Sequence, residues 1–173
     1  RRDVELIESQ VELARQCERE GKKELSYRIL GNAHEDVVTA LETYLKTIFR
    51  FLVKARLPAE AEALTQKKAV GNRFQNIERA KELFEKLGLD PFADLNPEDL
   101  KCLRLNIEKR HVLGHNLSIA DETFSQLGGS EDPGETVTLI ADDTVQFARI
   151  ASEVVRRLEE TCPEFLPSAH PAQ

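Results

Sequence analysis

Lys109-Arg110-His111-Val112-Leu113-Gly114-His115-Asn116 is the stretch of this chain whose residue types could do chemistry. Arg110 stands five residues before His115, with His111 directly after the arginine and Gly-His-Asn at the exit. A guanidinium holds an anionic phosphate through paired N–H donors and offsets the charge that develops on it. An imidazole titrates near neutrality and moves a proton on or off an oxygen. Together they are a minimal kit for cleaving a phosphodiester. The plain alternative is a helix C-terminus whose basic residues face the negative end of the dipole. His111 and His115, four apart with Glu108 three before the first, also have metal-ligand spacing. No second Glu-x-x-His exists in the chain, and no metalloprotease glutamate lies between the two histidines, so no metal is assigned.

The elements that must position these residues read as helices. Val4, Ile7, Val11 and Ala14 form one stripe of a helix over roughly 3–20. Gly21 interrupts it, Lys22 to Leu30 reads as a further turn or two, and Gly31-Asn32 is expected to break the chain. The strongest helical pattern spans roughly 33–56, through Val37, Leu41, Tyr44, Leu45, Ile48 and Leu52, with Pro58 beyond its end. Residues 59–68 suit a short helix, and 72–87 a longer one with Gly88 as its cap. Asn96-Pro97-Glu98-Asp99 is a helix start: a capping Asn, Pro in the first turn, and acids at the positive dipole end. Leu100, Leu103 and Ile107 continue from it. Extending that stripe predicts that Arg110, His111 and Gly114 lie on or beside the buried face. Leu117, Ile119 and Phe124, then Thr136 to Ile140, predict two short strands around a Gly-rich acidic loop at 128–134. A last helix over roughly 142–160 precedes a Pro-rich tail. The expected fold is therefore all-α, a bundle of four to five helices with a small β-hairpin or loop insertion before the last helix.

The totals bound the function classes. A chain of 173 residues with 40% hydrophobic content is long and apolar enough for one folded domain. No run of about 18 apolar residues is present, and neither is a leader-like start, so no membrane partner is expected. The absence of Met and the Arg1-Arg2 opening predict a fragment of a larger protein. Cys17, Cys102 and Cys162 are odd in number and without CxxC spacing, which indicates neither a zinc site nor a disulfide framework. A reducing, cytoplasmic setting is the default expectation. Neither GxxxxGK[ST] nor GxGxxG occurs, so no nucleotide cofactor is expected. The net charge of -7 argues against a general nucleic-acid coat. Its distribution is more telling: -3 over residues 1–45, +4 over 46–110, and -8 over 111–173. The segment leading into the Arg-His stretch is the net-basic one, compatible with a local anion site on an acidic protein.

Arg110-His111-x-x-x-His115-Asn116, late in a helical bundle and followed by a short insertion and a last helix, resembles the HEPN superfamily. Its hallmark is Arg, four to six residues, then His, with Asn, Asp or His commonly following the Arg. The resemblance covers about residues 30–160, with 1–29 as an N-terminal helical extension, 30–161 as the bundle and 162–173 as a flexible tail. Many members are metal-independent endoribonucleases of toxin–antitoxin, abortive-infection and CRISPR-linked systems, in which the Arg and His of two protomers meet in a dimer cleft. The resemblance implies Arg110 and His115 as catalytic residues, RNA as partner, and a homodimer with a composite cleft. Some members carry a Tyr two residues past the His as a modification site; here that position is Leu117. Other members are non-catalytic RNA-binding or scaffold modules, which is the alternative function, with further domains of the parent protein as partners.

Arg104 and His111 satisfy the same spacing, but the polar neighbour and the helix-end position favour Arg110 and His115. His111 and Asn116 are expected to support the site. A carboxylate that orients the imidazole would come from Glu35, Asp36 or Glu42 on the central helix, with Glu42, beside the core stripe, as the choice. His34 reads as part of helix entry, His170 as tail, and Cys102 as a core thiol.

Overall fold

The computed structural model describes residues 2–115 and 118–162, except for the side chains of residues 2, 3 and 115. Its described residues form eight helices and no strand. They are α1 (Arg2–Arg19), α2 (Lys23–Arg56), α3 (Ala61–Thr65), α4 (Lys67–Val70), α5 (Ile77–Glu85), α6 (Pro97–His115), α7 (Glu122–Gln126) and α8 (Ala141–Thr161). The all-α expectation holds.

Helix α2 is the axis of the bundle. Its buried residues run from Ser26 and Leu30 through Val37, Leu41, Leu45, Ile48 and Leu52 to Val53, and α1, α6 and α8 pack around it. The expected break at Gly31-Asn32 does not occur: α2 is continuous from Lys23 to Arg56. A glycine in a helix interior costs about 1 kcal/mol relative to Ala. Burial of Leu30, Ala33, Val37 and Val38 on either side outweighs that. The proposed boundary at residue 29 therefore falls inside one helix. Ile7, Val11 and Ala14 of α1 share a core with α2 and α8, as their stripe predicts, so the first 29 residues are built into the bundle.

At one end of the bundle Phe49, Phe74 and Phe84 form a triangle with ring centroids 5.7–6.1 Å apart. It ties α2 to α5 and to the single 3-10 turn Arg73–Gln75. That turn replaces the first part of the helix expected from residue 72. Asn76 accepts from the Arg79 amide at 2.9 Å, and so starts α5 at Ile77. Gly88 follows at φ 69°, while the Leu89 amide donates to the Phe84 carbonyl, closing α5 as expected. Asn96 caps α6 as its sequence predicts: its Oδ1 accepts from the Asp99 amide at 2.7 Å.

The expected hairpin is reduced to one antiparallel bridge, Ile119 to Thr136. Phe124 belongs to α7 rather than to a strand, because Asp121 accepts from its amide at 2.9 Å and begins a helical turn. Phe124, Ala120, Val137 and Val112 make a second small core that fastens the insertion onto α6. A Cβ on Gly129 would meet the Phe124 ring at 2.3 Å, so only glycine lets the chain pass there. Cys162, the first residue of the expected tail, is instead buried in the main core; residues 163–173 and Leu117 lie outside the described residues.

Candidate functional site

Arg110 sits in the last turns of α6, facing α2. Its Nε donates to both carboxylate oxygens of Glu35, each at 3.1 Å, and its Nη2 donates to Glu35 Oε1 at 3.0 Å. The fork-on-fork geometry fixes the plane of the guanidinium. It leaves Nη1 without a partner among the described residues. Donating to the Glu35 carboxylate raises the Arg110 pKa above its ordinary value, so its charge is permanent. The side chains are 28% and 48% exposed, so the pair lies at the surface and is screened.

Beside this pair a cavity of about 210 Å³ opens between α2 and α6. Tyr27, Gly31, His34 and Glu35 line it from α2, a set four, three and one residues apart and hence on one helix face. Arg110, Leu113 and Gly114 line it from α6. Ser118 and Leu139 close it from the insertion. Ser118 holds φ at 64°, a left-handed value rare outside glycine and costing on the order of 1 kcal/mol. Hydrogen bonds on both sides hold it there: the Ser118 amide donates to Val112 O at 3.1 Å, and the Val137 amide donates to Ser118 O at 2.8 Å.

His34 forms the floor. It is 1% exposed and packs against the Phe147 ring at 5.4 Å. Its Nε2 is buried without a hydrogen-bond partner. An unsatisfied buried polar atom costs about 1–3 kcal/mol. Burial is the main cause that pushes the His34 pKa down to about 4, with the positive charge of Lys109 adding to it; Asn106 and Glu35 pull the other way. Lys109 is itself only 5% exposed. Lys109 does not line the cavity, but its charge reaches His34; the lining itself carries one cation, Arg110, and one carboxylate, Glu35.

The expected stripe on α6 is displaced. Leu103, Asn106, Lys109 and Val112 are the buried positions, whereas His111 and Gly114 are exposed and Arg110 is half-buried. The reason is that α6 is covered twice, by α2 and α8 on one side and by the insertion on the other. Its polar residues are accommodated individually: Asn106 Nδ2, for example, donates to Cys102 O at 2.9 Å. His111 is not among the residues lining the cavity. Arg104 pairs with Glu78 at 2.6 Å and, like His111, is not among the residues lining the cavity.

Glu42, the expected supporting carboxylate, accepts from Gln75 Nε2 at 3.0 Å and from Lys46 at 3.1 Å. It reaches Arg110 only through its field, and the carboxylate that meets the guanidinium is Glu35; the imidazole that a carboxylate was expected to orient lies outside the described residues. Position 115 ends α6, about 7.5 Å of helix rise beyond Arg110. The His115 side chain and Asn116 lie outside the described residues.

Sequence reasoning passed over Tyr27, Gly31, His34 and Lys109. The signal was present in Tyr27, Gly31, His34 and Glu35, whose spacing is that of one helical face, but it becomes visible only when Gly31-Asn32 is read as helix. Cys17 and Cys162 are buried free thiols and Cys102 is partly buried. Among the described residues no group of three or more His, Cys, Asp or Glu side chains is placed to hold a metal, and no helix is long and apolar enough to cross a membrane. Compared with known protein families, characterised proteins and solved structures, the chain matches none.

Proposed function

We propose that this chain is a HEPN-type endoribonuclease domain that cleaves RNA without a metal, in a defence or toxin-type system. The observation that carries the reading is Arg110: a permanently charged guanidinium, oriented by Glu35 at the rim of a cavity between two helices, with Nη1 without a partner among the described residues. RNA brings its own nucleophile. His115 takes the proton of the 2′-hydroxyl, the 2′-oxygen attacks phosphorus, and the bond to the 5′-oxygen breaks. Protonated imidazole returns a proton to the leaving 5′-oxygen. The products are a 2′,3′-cyclic phosphate and a 5′-hydroxyl. Arg110 binds the scissile phosphate and stabilises the charge on its oxygens in the transition state. One such histidine per chain favours a C2 homodimer in which two copies contribute an Arg and a His each to one cleft.

The second reading is a non-catalytic RNA-binding or dimerisation module of a multidomain protein. The Arg110–Glu35 pair favours its dimerisation form, because a neutralised guanidinium attracts a phosphate less strongly. An RNA cleavage assay in EDTA separates the two. Wild type is expected to leave cyclic phosphate ends, and Arg110→Ala/His115→Ala to leave RNA intact. Equal cleavage by both proteins sinks the assignment of the site, and no cleavage by either favours the module.

A further inference from the structure

The cavity between α2 and α6 contains more than a phosphate clamp needs. Arg110 at the rim accounts for an anion. It does not account for an unpartnered imidazole nitrogen on the floor, or for glycines on both walls. Gly31 lies well inside a 34-residue helix, where alanine is the better helix former. The fold itself leaves room for that alanine: an added Cβ at Gly31 would meet only Leu139 Cδ1, at an ordinary 3.9 Å. At Gly114 an added Cβ would meet nothing within 4 Å. Packing therefore does not require glycine at either wall. What the two glycines preserve is the space between them.

From this geometry we infer that the cavity is a pocket for one nucleobase of single-stranded RNA, with His34 reading the base edge, Tyr27 stacking at the mouth, and Gly31 and Gly114 giving clearance. The inference rests on the RNA reading above and deepens it. The volume of about 210 Å³ is below the roughly 300–1,000 Å³ of clefts that take drug-sized ligands, which suits a single planar ring. Single-stranded RNA is recognised by stacking splayed bases on aromatic side chains and hydrogen-bonding their edges. Tyr27, 42% exposed at the rim, supplies the stacking surface. His34 Nε2 is covered by its neighbours and makes no hydrogen bond. A turn of the ring about its Cβ–Cγ bond would present it, exchanging the interaction of the ring with Asn106 for one with the base edge. A neutral imidazole offers one donor and one acceptor, both of use on a base edge. Arg110 borders the same space, so the base held there belongs to a nucleotide whose phosphate lies on the guanidinium.

The test is a binding titration of the whole chain, followed by NMR, with the four ribonucleoside 3′-monophosphates and with inorganic phosphate. At least one nucleotide should bind about tenfold or more tightly than phosphate, the ratio one stacked and hydrogen-bonded base supplies. Gly31→Leu, which fills the cavity from a helix-favouring residue, and His34→Phe, which keeps the ring but removes its nitrogens, should each reduce that nucleotide to the affinity of phosphate. Thermal melts of both variants establish that they are folded. If phosphate binds as tightly as every nucleotide, the site is an anion clamp and the pocket is overturned. Unchanged base preference in both variants overturns it too, as does no binding of any probe. RNA cleavage by wild type alongside any of those results leaves the ribonuclease reading standing. Selective nucleotide binding without cleavage removes the ribonuclease and keeps the pocket.

Discussion

Glu35 on α2 accepts three hydrogen bonds from Arg110 on α6, and this fork bridges the two helices at the rim of their shared cavity. The bridge is exposed enough for solvent to screen it, so its contribution to folding is small, about 1 kcal/mol or less. Its value lies in orientation. Arg110→Ala is expected to lower stability by no more than about 1 kcal/mol in urea denaturation while abolishing RNA cleavage. Arg110→Lys should also lose most cleavage, since an ammonium cannot reproduce the planar fork. A stability loss of roughly 3 kcal/mol in Arg110→Ala would instead mark the arginine as a structural strut.

His34 makes a pH prediction with a definite sign. Its pKa is near 4 in the folded protein and about 6.5 when exposed. Between those values the unfolded chain binds the proton and the folded one does not, so stability falls as pH falls. The contribution is complete above about pH 6.5 and is lost as the pH drops toward 4, with roughly 2 kcal/mol gone at pH 5. The neighbours that set this window are Lys109 and the covering apolar shell, which lower the pKa, and Asn106 and Glu35, which raise it. Urea denaturation at pH 7.5 and pH 5 should show the loss in wild type and a clearly smaller loss in His34→Phe. Parallel losses in both proteins would place the titration elsewhere.

The sequence was most legible where one physical rule acted alone. Asn96 as cap, Gly88 as terminator and the α1 stripe each depend on local geometry or a single buried face, and each stands where its pattern predicts. Gly31 was misread because helix propensity is a local quantity, while the burial that keeps α2 intact comes from other helices. The stripe on α6 was misplaced for a related reason. Periodicity identifies one buried face, and α6 has two, one of them made by the insertion. The Arg110–Glu35 pair has no local signal: Glu35 and Glu42 both lie on α2, and only the register of α6 against it decides which carboxylate meets the guanidinium.

Phe49 tests the main core. It is fully buried and is the vertex shared by two of the three ring contacts that join α2, α5 and the 3-10 turn. Phe49→Ala removes its buried area, leaves a cavity and abolishes both contacts, so a loss of about 3–5 kcal/mol is expected. Leu13→Ala, at a position 51% exposed, should change stability by less than about 0.5 kcal/mol. Chemical denaturation of the two variants side by side checks the contrast; similar losses would mean that the exposed face of α1 is covered.

Gly129 tests the insertion. The side chain that alanine adds would sit 2.3 Å from the Phe124 ring, and Phe124 is the centre of the small core that anchors residues 118–137 on α6. Either the ring must leave its site or the loop must move, and overpacking of this kind costs about 1–3 kcal/mol. Gly114→Ala, with open space around its Cβ and a better helix former in place, should hold or raise stability. Because Ser118 joins the insertion to the cavity, loosening the small core should also disturb the rim. Hydrogen exchange is the measurement that localises the effect. In Gly129→Ala the Val137 amide, which donates to Ser118 O, should exchange faster, while the amide of Leu57, which caps the end of α2 by donating to Val53 O, keeps wild-type protection. Equal acceleration at both amides would show that the insertion and the bundle unfold as one unit.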